Sequence, residues 1–289
     1  MALLSRVNGG AAQGLSWRQL FLLFMLALML FALLRWQPDA WLASQIQAQA
    51  RQHGLTVQYE HLHLDGLTLH LDHLSIRSGR MPAPLRMDLC TLTPAWDSLL
   101  KAQPAVRLSV DGDGRQLKAL LRWQTGHVAI SALQADMNVA LLQPFWQDRL
   151  TLPIHVGGRL IAAGDLLLDA ASGAPVDGKI RLTWRSAVTD ITGMHSPLGD
   201  YQLLLKADRA SGKSWLWSIS GGSSPKLSGQ GAIDMAGPLL QQWRIHGQVV
   251  VQPGDGSNTI SAMLGGKAMT YAISGALLNP RWQTRAGAH

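Results

Sequence analysis

The sequence predicts a mainly β protein, in which a single N-terminal transmembrane helix precedes a curved, mostly antiparallel β-sheet domain with a few short helices. Three observations support this prediction. Residues 20–34 form an unbroken apolar run, apolar and polar residues alternate from Leu55 onwards, and glycines recur between apolar residues in successive segments. The first pattern is typical of a membrane span, and the other two are typical of strands.

The apolar run from Leu20 to Leu34 has fifteen residues and no polar one. As a helix it would extend about 22 Å, less than the bilayer hydrocarbon core of about 30 Å. Counted over 15–36, the helix is long enough to serve as an anchor. A cleaved signal peptide is disfavoured, because the only small-residue site, Ala48-Gln-Ala50, lies far beyond the run. A buried soluble helix is disfavoured because every face is apolar.

Basic and aromatic residues mark both ends of the predicted anchor. Arg18 and Arg35 can extend their side chains toward the headgroups, and Trp17 and Trp36 suit the two interfacial layers. Residues 1–14 carry a basic residue and no acid, which predicts a cytoplasmic N-terminus. We therefore expect a single-pass protein of a bacterial inner membrane, in contact with its lipid, with the rest of the chain in the periplasm.

Composition excludes several classes of function. The sequence pI is about 10.0, but the basic residues are spread singly, so we expect no nucleic-acid partner. The single cysteine, Cys90, excludes an intramolecular disulfide. Acidity comes almost entirely from aspartate and glycine is abundant, which disfavours long helices and favours strands joined by turns.

The chain after the anchor is predicted to contain three segments. They are a juxtamembrane helix, a β-rich periplasmic domain and a flexible tail, over 37–54, 55–280 and 281–289. Pro38 can begin the juxtamembrane helix and Gly54 can end it. Within the β-rich domain we expect a soft internal break near 169–177, where glycine and proline interrupt the alternation.

Glycines of the strand pattern are the candidate structural residues of this domain. The set comprises Gly158, Gly178, Gly229, Gly247 and Gly275. Each lies between two apolar residues on the same face of its strand, except Gly229, which belongs to the variant Leu227-x-Gly-x-Gly231. A glycine in that position permits a bulge, a bend or a close backbone approach. Because the pattern recurs in successive strands, it predicts a strongly curved sheet.

No catalytic or metal-binding constellation emerges from the sequence. Five histidines fall between 53 and 73, yet His61, His63 and His70 occupy the face opposite the leucines, which favours a solvated surface over a zinc site. The Gly212-Lys-Ser tripeptide lacks the earlier glycine of a P-loop. Five aspartates directly precede a glycine, as in Asp-Gly turns, and need no acid–base role: Asp65, Asp111, Asp113, Asp177 and Asp255. We predict a protein that is not an enzyme and has no cofactor.

Tryptophans in the strand-like runs admit two interpretations. Trp123, Trp184, Trp215 and Trp217 fit packing within the sheet, which the burial of large aromatic area would favour. The alternative is an apolar groove that binds a lipid or a hydrophobic segment of a partner.

Three motifs in the second half of the chain carry a resemblance to a known family. They are a strand from Gly178 to Trp184 that continues to Ala187, the segment Pro197-Leu-Gly-Asp-Tyr201, and the segment Leu227-Ser-Gly-Gln-Gly231. In this order they resemble the type II secretion system protein N family, GspN. The closing segment from Tyr271 to Leu277 is similar to that family's last strand.

The resemblance implies a non-catalytic accessory subunit of the type II secretion system, which exports folded proteins from the periplasm. Its partners would be lipid of the inner membrane and components of the inner-membrane platform, with strand addition at a sheet edge as one mode of contact. The first half, with strands over 55–76, looks equally like AsmA-type membrane-anchored proteins. That likeness implies the alternative function, a lipid-binding or lipid-transfer β-groove.

Overall fold

A computed structural model provides the structure of this chain. The described residues are 21, 24–28, 38–52, 54–78, 84–99, 103–112, 114–145, 154–191, 194–237, 242–254 and 267–285. The chain divides into two compact units, Met1–Gln45 and Ile46–His289.

The predicted anchor over 15–36 falls almost wholly outside the described residues. Only Phe21 and residues 24–28 of this segment are described; they are helical, and their side chains are exposed. Trp17, Arg18, Leu20, Leu34, Arg35 and Trp36 belong to the part of the chain outside the description. Within the described residues, the helices are too short or too polar to cross a membrane.

A single antiparallel sheet of 15 strands dominates the second unit, which confirms the predicted mainly β architecture. The first seven strands are β1 Leu55–Gln58, β2 His61–Asp65, β3 Thr68–Ser78, β4 Leu85–Pro94, β5 Ala105–Gly112, β6 Arg115–Gln124 and β7 His127–Asn138. The others are β8 Ile154–Asp169, β9 Pro175–Ile191, β10 Met194–Asp208, β11 Ser214–Gly221, β12 Lys226–Met235, β13 Trp243–Gln252, β14 Met269–Ala276 and β15 Asn279–Arg285.

The strands follow one another as a meander. From β3 to β15 each strand pairs with the next in sequence, while β1 and β2 both pair with β3. The described helices are short: α1 spans Pro38–Gln52, α2 spans Trp96–Leu99, and a 3₁₀ helix spans Val139–Phe145. Ile46 of α1 packs against the core residues of β3 and β4.

Cross-strand register gives the sheet one apolar face. A continuous row of uncharged, mostly apolar residues crosses the strands from β2 to β14: Leu62, Leu71, Cys90, Val110, Leu117, Ala135, Ala162, Leu182, Leu203, Ile219, Gly229, Val249 and Tyr271. We call the side that carries this row the apolar face and the other the polar face. This arrangement follows from period-two alternation, which places every second side chain on the same side.

Three residues with positive φ reset the alternation inside long strands. They are His73, Ala132 and Ser186, with φ of 50°, 51° and 47°. Around Ala132 and Ser186 the ladder has a bulge, in which two residues oppose one on the next strand. As a result, Trp184 and Ala187 both lie on the apolar face although they are three residues apart.

The core is thin and is built from local clusters on the apolar face. One contains Leu71, Leu74 and Cys90, and a second contains Trp217, Val249 and Ile273. Among the described residues, no large side chain is less than 2 % exposed. Most members of the apolar row are therefore only half-buried, because a single-layer sheet leaves that face without a second layer of strands.

Two predicted segment boundaries can be located on the strands. Residues 169–177 contain the turn between β8 and β9, through which the sheet continues. The predicted flexible tail over 281–289 is corrected at its start, because 281–285 form the second part of β15. Trp282 and Thr284 pair with Ile273 and Tyr271 of β14, so strand pairing orders a stretch that sequence composition alone assigned to the tail. Residues 286–289 lie outside the description.

Candidate functional site

The motifs that carry the family resemblance lie on neighbouring strands and pack together. Ala187, Leu198 and Tyr201 form a buried cluster, and Trp184 and Leu227 pack against it. These five side chains come from β9, β10 and β12, and we call them the motif cluster. It lies on the apolar face, because Trp184 and Tyr201 are cross-strand partners there.

Tyr201 is the polar centre of the motif cluster. It is 6 % exposed, and its hydroxyl donates a hydrogen bond of 2.9 Å to the carbonyl oxygen of Pro225. The rings of Tyr201 and Trp184 are 5.8 Å apart between centroids. Burial raises the pKa of Tyr201 from its ordinary value of 10.0 to about 12. The phenol is thus neutral at physiological pH and acts as a hydrogen-bond donor.

The indole of Trp184 contacts two consecutive glycines of β8. Its indole N–H donates a hydrogen bond of 3.0 Å to the carbonyl oxygen of Gly157. A Cβ atom at Gly158 would lie 2.7 Å from the Trp184 indole nitrogen, so a side chain there would displace the ring. Gly158 also has φ of 111°, a conformation that disfavours other residues.

Trp217 makes the corresponding contact further along the sheet. Its ring covers Gly231 and Gly247, which are cross-strand partners on β12 and β13. Its indole N–H donates to the carbonyl oxygen of His246 at 3.3 Å. Trp217 is 6 % exposed. The two tryptophans thus fill the gaps that the glycines leave on the apolar face.

The remaining predicted glycines have other surroundings. Gly178 has φ of 143° and faces Leu166 of β8 near a bulge. A Cβ atom at Gly229 would lie 2.8 Å from Val249 Cγ2. Gly275 has φ of 110°, and a Cβ atom there would meet its nearest neighbour at 3.8 Å. The structure therefore brings Gly158 and Gly247 beneath tryptophans, whereas Gly178, Gly229 and Gly275 have strand-to-strand neighbours only.

Two aspartates hold the bulges, and the sequence pattern did not single them out for this role. The backbone N–H of Ala132 donates to Asp165 Oδ1 at 3.0 Å, and that of Ser186 donates to Asp200 Oδ1 at 2.7 Å. Each carboxylate comes from the neighbouring strand, directly across from the bulge. An extra residue in a bulge leaves its N–H without a ladder partner, which these carboxylates supply.

The histidines of β2 and β3 lie on the polar face. His63 and His70 are cross-strand partners with rings stacked 4.8 Å apart, and His63 Nδ1 is 3.8 Å from an oxygen of Asp72. Stacked rings direct their nitrogen lone pairs side by side rather than toward one point. Over the described part of the chain, no group of three or more ligating side chains is arranged to hold a metal ion.

A cavity of about 890 Å³ on the polar face is lined by several charged side chains. Asp136 and Arg159 form an ion pair of 2.5 Å within it, which raises the pKa of Arg159. Arg115 donates to the carbonyl oxygen of Arg86 at 3.1 Å. Asp136 and Arg159 thus pair across β7 and β8, whereas Arg115 of β6 donates to a backbone carbonyl of β4. Cys90 lies outside this cavity, and burial raises the pKa of its thiol, which keeps it protonated and weakly nucleophilic.

Comparison with models of known protein families, with curated proteins and with solved structures gives no match to this chain. The resemblance to the secretion family and the likeness to AsmA-type proteins stay predictions. Both resemblances rest on the motif residues and on the strands in which these residues lie.

Proposed function

We propose that this chain is a non-catalytic accessory subunit of the type II secretion system, anchored in the inner membrane with its β-sheet domain in the periplasm. The packing of the three motifs is the observation that supports this proposal most strongly. The three motifs of the resemblance are separated along the chain, yet residues from all three pack into the motif cluster. Sequence patterns that meet in space favour a shared structural role over coincidental glycine and leucine spacing.

In this role the anchor over 15–36 would hold the sheet near the inner-membrane platform, with the N-terminus cytoplasmic. The sheet would then contribute contact surface, since two of its polar groups serve structure. The buried hydroxyl of Tyr201 donates to Pro225, and the exposed carboxylate of Asp200 accepts from the Ser186 bulge. Partners would be the platform components and the surrounding lipid.

Crosslinking in intact membranes tests this function. The full chain carries a photoreactive amino acid at exposed positions of the polar face, and crosslinked products are identified by mass spectrometry. We expect inner-membrane components of the secretion apparatus among them. A single-pass inner-membrane protein unrelated to secretion, labelled in the same way, is the control. Recovery of the same products from both, or of no secretion component, would contradict the proposal.

A second function, an AsmA-like lipid-binding or lipid-transfer groove, is favoured by a different observation. Most members of the apolar row are only half-buried, Leu182, Leu203 and Ile219 among them. If the sheet curves into a groove, the acyl chains of a bound lipid would cover this row.

Lipid extraction and mass spectrometry distinguish this second function. The groove hypothesis expects phospholipid to co-purify with the full chain after detergent exchange, and expects delipidated protein to take it up again. Delipidated wild-type protein that takes up no phospholipid would exclude the groove.

A further inference from the structure

β15 forms an open edge of the sheet. In the described structure it pairs with β14 and has no neighbour on its other side. Its seven residues form one continuous strand. The opposite edge is interrupted at Tyr59 and Glu60, which divide it into strands of four and five residues. Short, broken edges resist pairing with another chain, whereas a continuous edge presents a row of free N–H and C=O groups.

The polar side of this edge is basic. Arg281 of β15 and Arg244 of β13 line a cavity of about 760 Å³, together with Ser274. The described residues that line the cavity include no carboxylate, and neither arginine forms an ion pair with a described residue. Strands are about 4.8 Å apart, so an added strand would lie next to Arg281. Arg244 on β13 is three strand spacings, about 14 Å, from it, beyond the Debye length of about 8 Å at physiological ionic strength.

The apolar side of this edge carries an aromatic residue. Trp282 is 58 % exposed and stands across from Ile273 of β14, which is buried. The apolar face therefore continues to the last strand and ends in an indole that has neighbours on only one side. An added strand with a large apolar residue at the matching position would cover it.

We propose that β15 accepts an extended acidic segment of a partner protein as a further antiparallel strand. The segment would place carboxylates on the polar face beside Arg281 and apolar side chains on the apolar face beside Trp282. This names the contact surface for the accessory role, and to that extent it rests on the proposed function. A second copy is disfavoured, because two β15 strands side by side would add their positive charges on the polar face, and the other edge is broken.

Peptide binding to the full chain in lipid nanodiscs tests the inference. The probe is a fluorescein-labelled ten-residue peptide of alternating Glu and Val, and the comparison peptide alternates Lys and Val. We expect the acidic peptide to bind and the basic one to bind at least about tenfold more weakly, the effect of about 1.4 kcal/mol. A third peptide, alternating Glu and Val with N-methylated valines, should not bind because it lacks half of its main-chain donors.

Two substitutions test whether the peptide binds at β15. Arg281→Glu should reverse the preference toward the Lys peptide, and Trp282→Ala should weaken binding of the acidic peptide. The matched controls are Arg181→Glu on β9 and Trp123→Ala on β6, whose side chains are also exposed; both should leave binding unchanged. Equal binding of the acidic and basic peptides to the wild type, or equal effects of Arg281→Glu and Arg181→Glu, would overturn the inference.

The outcome separates this inference from the proposed function. If secretion components crosslink to the chain but the acidic peptide does not bind, the edge inference fails and the accessory role stands. If the peptide binds at β15 but no secretion component crosslinks, the edge is a binding site for a partner outside that apparatus.

Discussion

At the scale of single residues, the tryptophan–glycine contacts explain why glycine recurs on the apolar face. Trp184 contacts Gly158 of the adjacent strand β8, and Trp217 contacts Gly231 of β12 and Gly247 of β13. Each donates its indole N–H to a backbone carbonyl, that of Gly157 and that of His246 respectively. A large ring can lie against the backbone only where the facing strand has no Cβ atom. Each contact thereby buries aromatic area in a sheet that has no second layer.

The first prediction concerns Trp217. Trp217→Ala should lower the free energy of unfolding by about 3–5 kcal/mol, because it removes a buried ring and leaves a cavity above Gly231 and Gly247. Trp123→Ala is the control, since Trp123 is 45 % exposed and should cost far less. Urea unfolding followed by circular dichroism measures both, and similar losses for the two variants would contradict the packing role.

The second prediction concerns the Tyr201 hydroxyl. Tyr201→Phe should lower the free energy of unfolding by about 1–3 kcal/mol, because the buried carbonyl of Pro225 loses its donor. Tyr271→Phe is the matched control, since among the described residues that hydroxyl donates to the sulfur of Met269, at 3.2 Å, a weak acceptor. An equal or larger loss for Tyr271→Phe in the same urea titration would contradict this role.

The third prediction concerns pH. The folded-state pKa of Tyr201 is about 12, above its ordinary value of 10.0. The unfolded chain therefore releases this proton first as pH rises, so the contribution is fully present below pH 10 and falls between about 10 and 12. Stability of the wild type should decline more steeply over this range than that of Tyr201→Phe. Parallel declines in urea titrations would contradict the assignment.

At the scale of elements, the bulges decide which residues of a strand share a face. Ala132 and Ser186 sit in left-handed conformations, which cost about 1–3 kcal/mol each in a residue other than glycine. The carboxylates of Asp165 and Asp200 offset this cost by accepting the freed backbone N–H groups. Without the bulge at Ser186, Ala187 would move to the polar face and the motif cluster would lose a member.

The fourth prediction tests the Asp200 carboxylate. Asp200→Ala should lower the free energy of unfolding by about 1–3 kcal/mol, and adding Ser186→Gly should restore part of the loss because glycine adopts positive φ without strain. The control is Asp234→Ala, which removes an exposed ion pair of 3.3 Å with His246 and should cost under about 1 kcal/mol. Failure of Ser186→Gly to restore any stability would contradict the strain argument.

At the scale of the whole molecule, the sheet is long and one layer thick. Its stability comes from neighbour-to-neighbour contacts in clusters along the meander, such as those around Leu71 and around Trp217. An apolar face left half-buried in this way gives both proposed functions their physical basis, since a partner strand or a lipid would cover it.

The fifth prediction concerns the anchor. Alkaline phosphatase fused after His289 should be active, because the positive-inside rule places the C-terminal domain in the periplasm; fused before Met1 it should be inactive. An N-terminal epitope tag should remain on the full-length chain in the membrane fraction. Release of a tag-free chain into the soluble periplasmic fraction would instead indicate signal-peptide cleavage.

Alternation and turn residues were sufficient to predict the mainly β fold, and the hairpin at Asp65-Gly66 joins β2 to β3 as those two residues suggest. The apolar glycine pattern likewise pointed to Gly158 and Gly247. Residues 281–285 were assigned to a tail because their short alternation, Arg-Trp-Gln-Thr-Arg, is weak without its partner. Pairing with β14 supplies the order that the isolated segment lacks.

By itself, the sequence determined the period of the strands, the single apolar face and the positions where the backbone has no side chain, because these depend on residues close along the chain. Only the tertiary structure decided which tryptophan covers which glycine, which aspartate holds which bulge, and that β15 remains open while the β1–β2 edge is broken. These depend on cross-strand register, and register is set by bulges whose carboxylate partners lie 33 residues away at Asp165 and 14 residues away at Asp200.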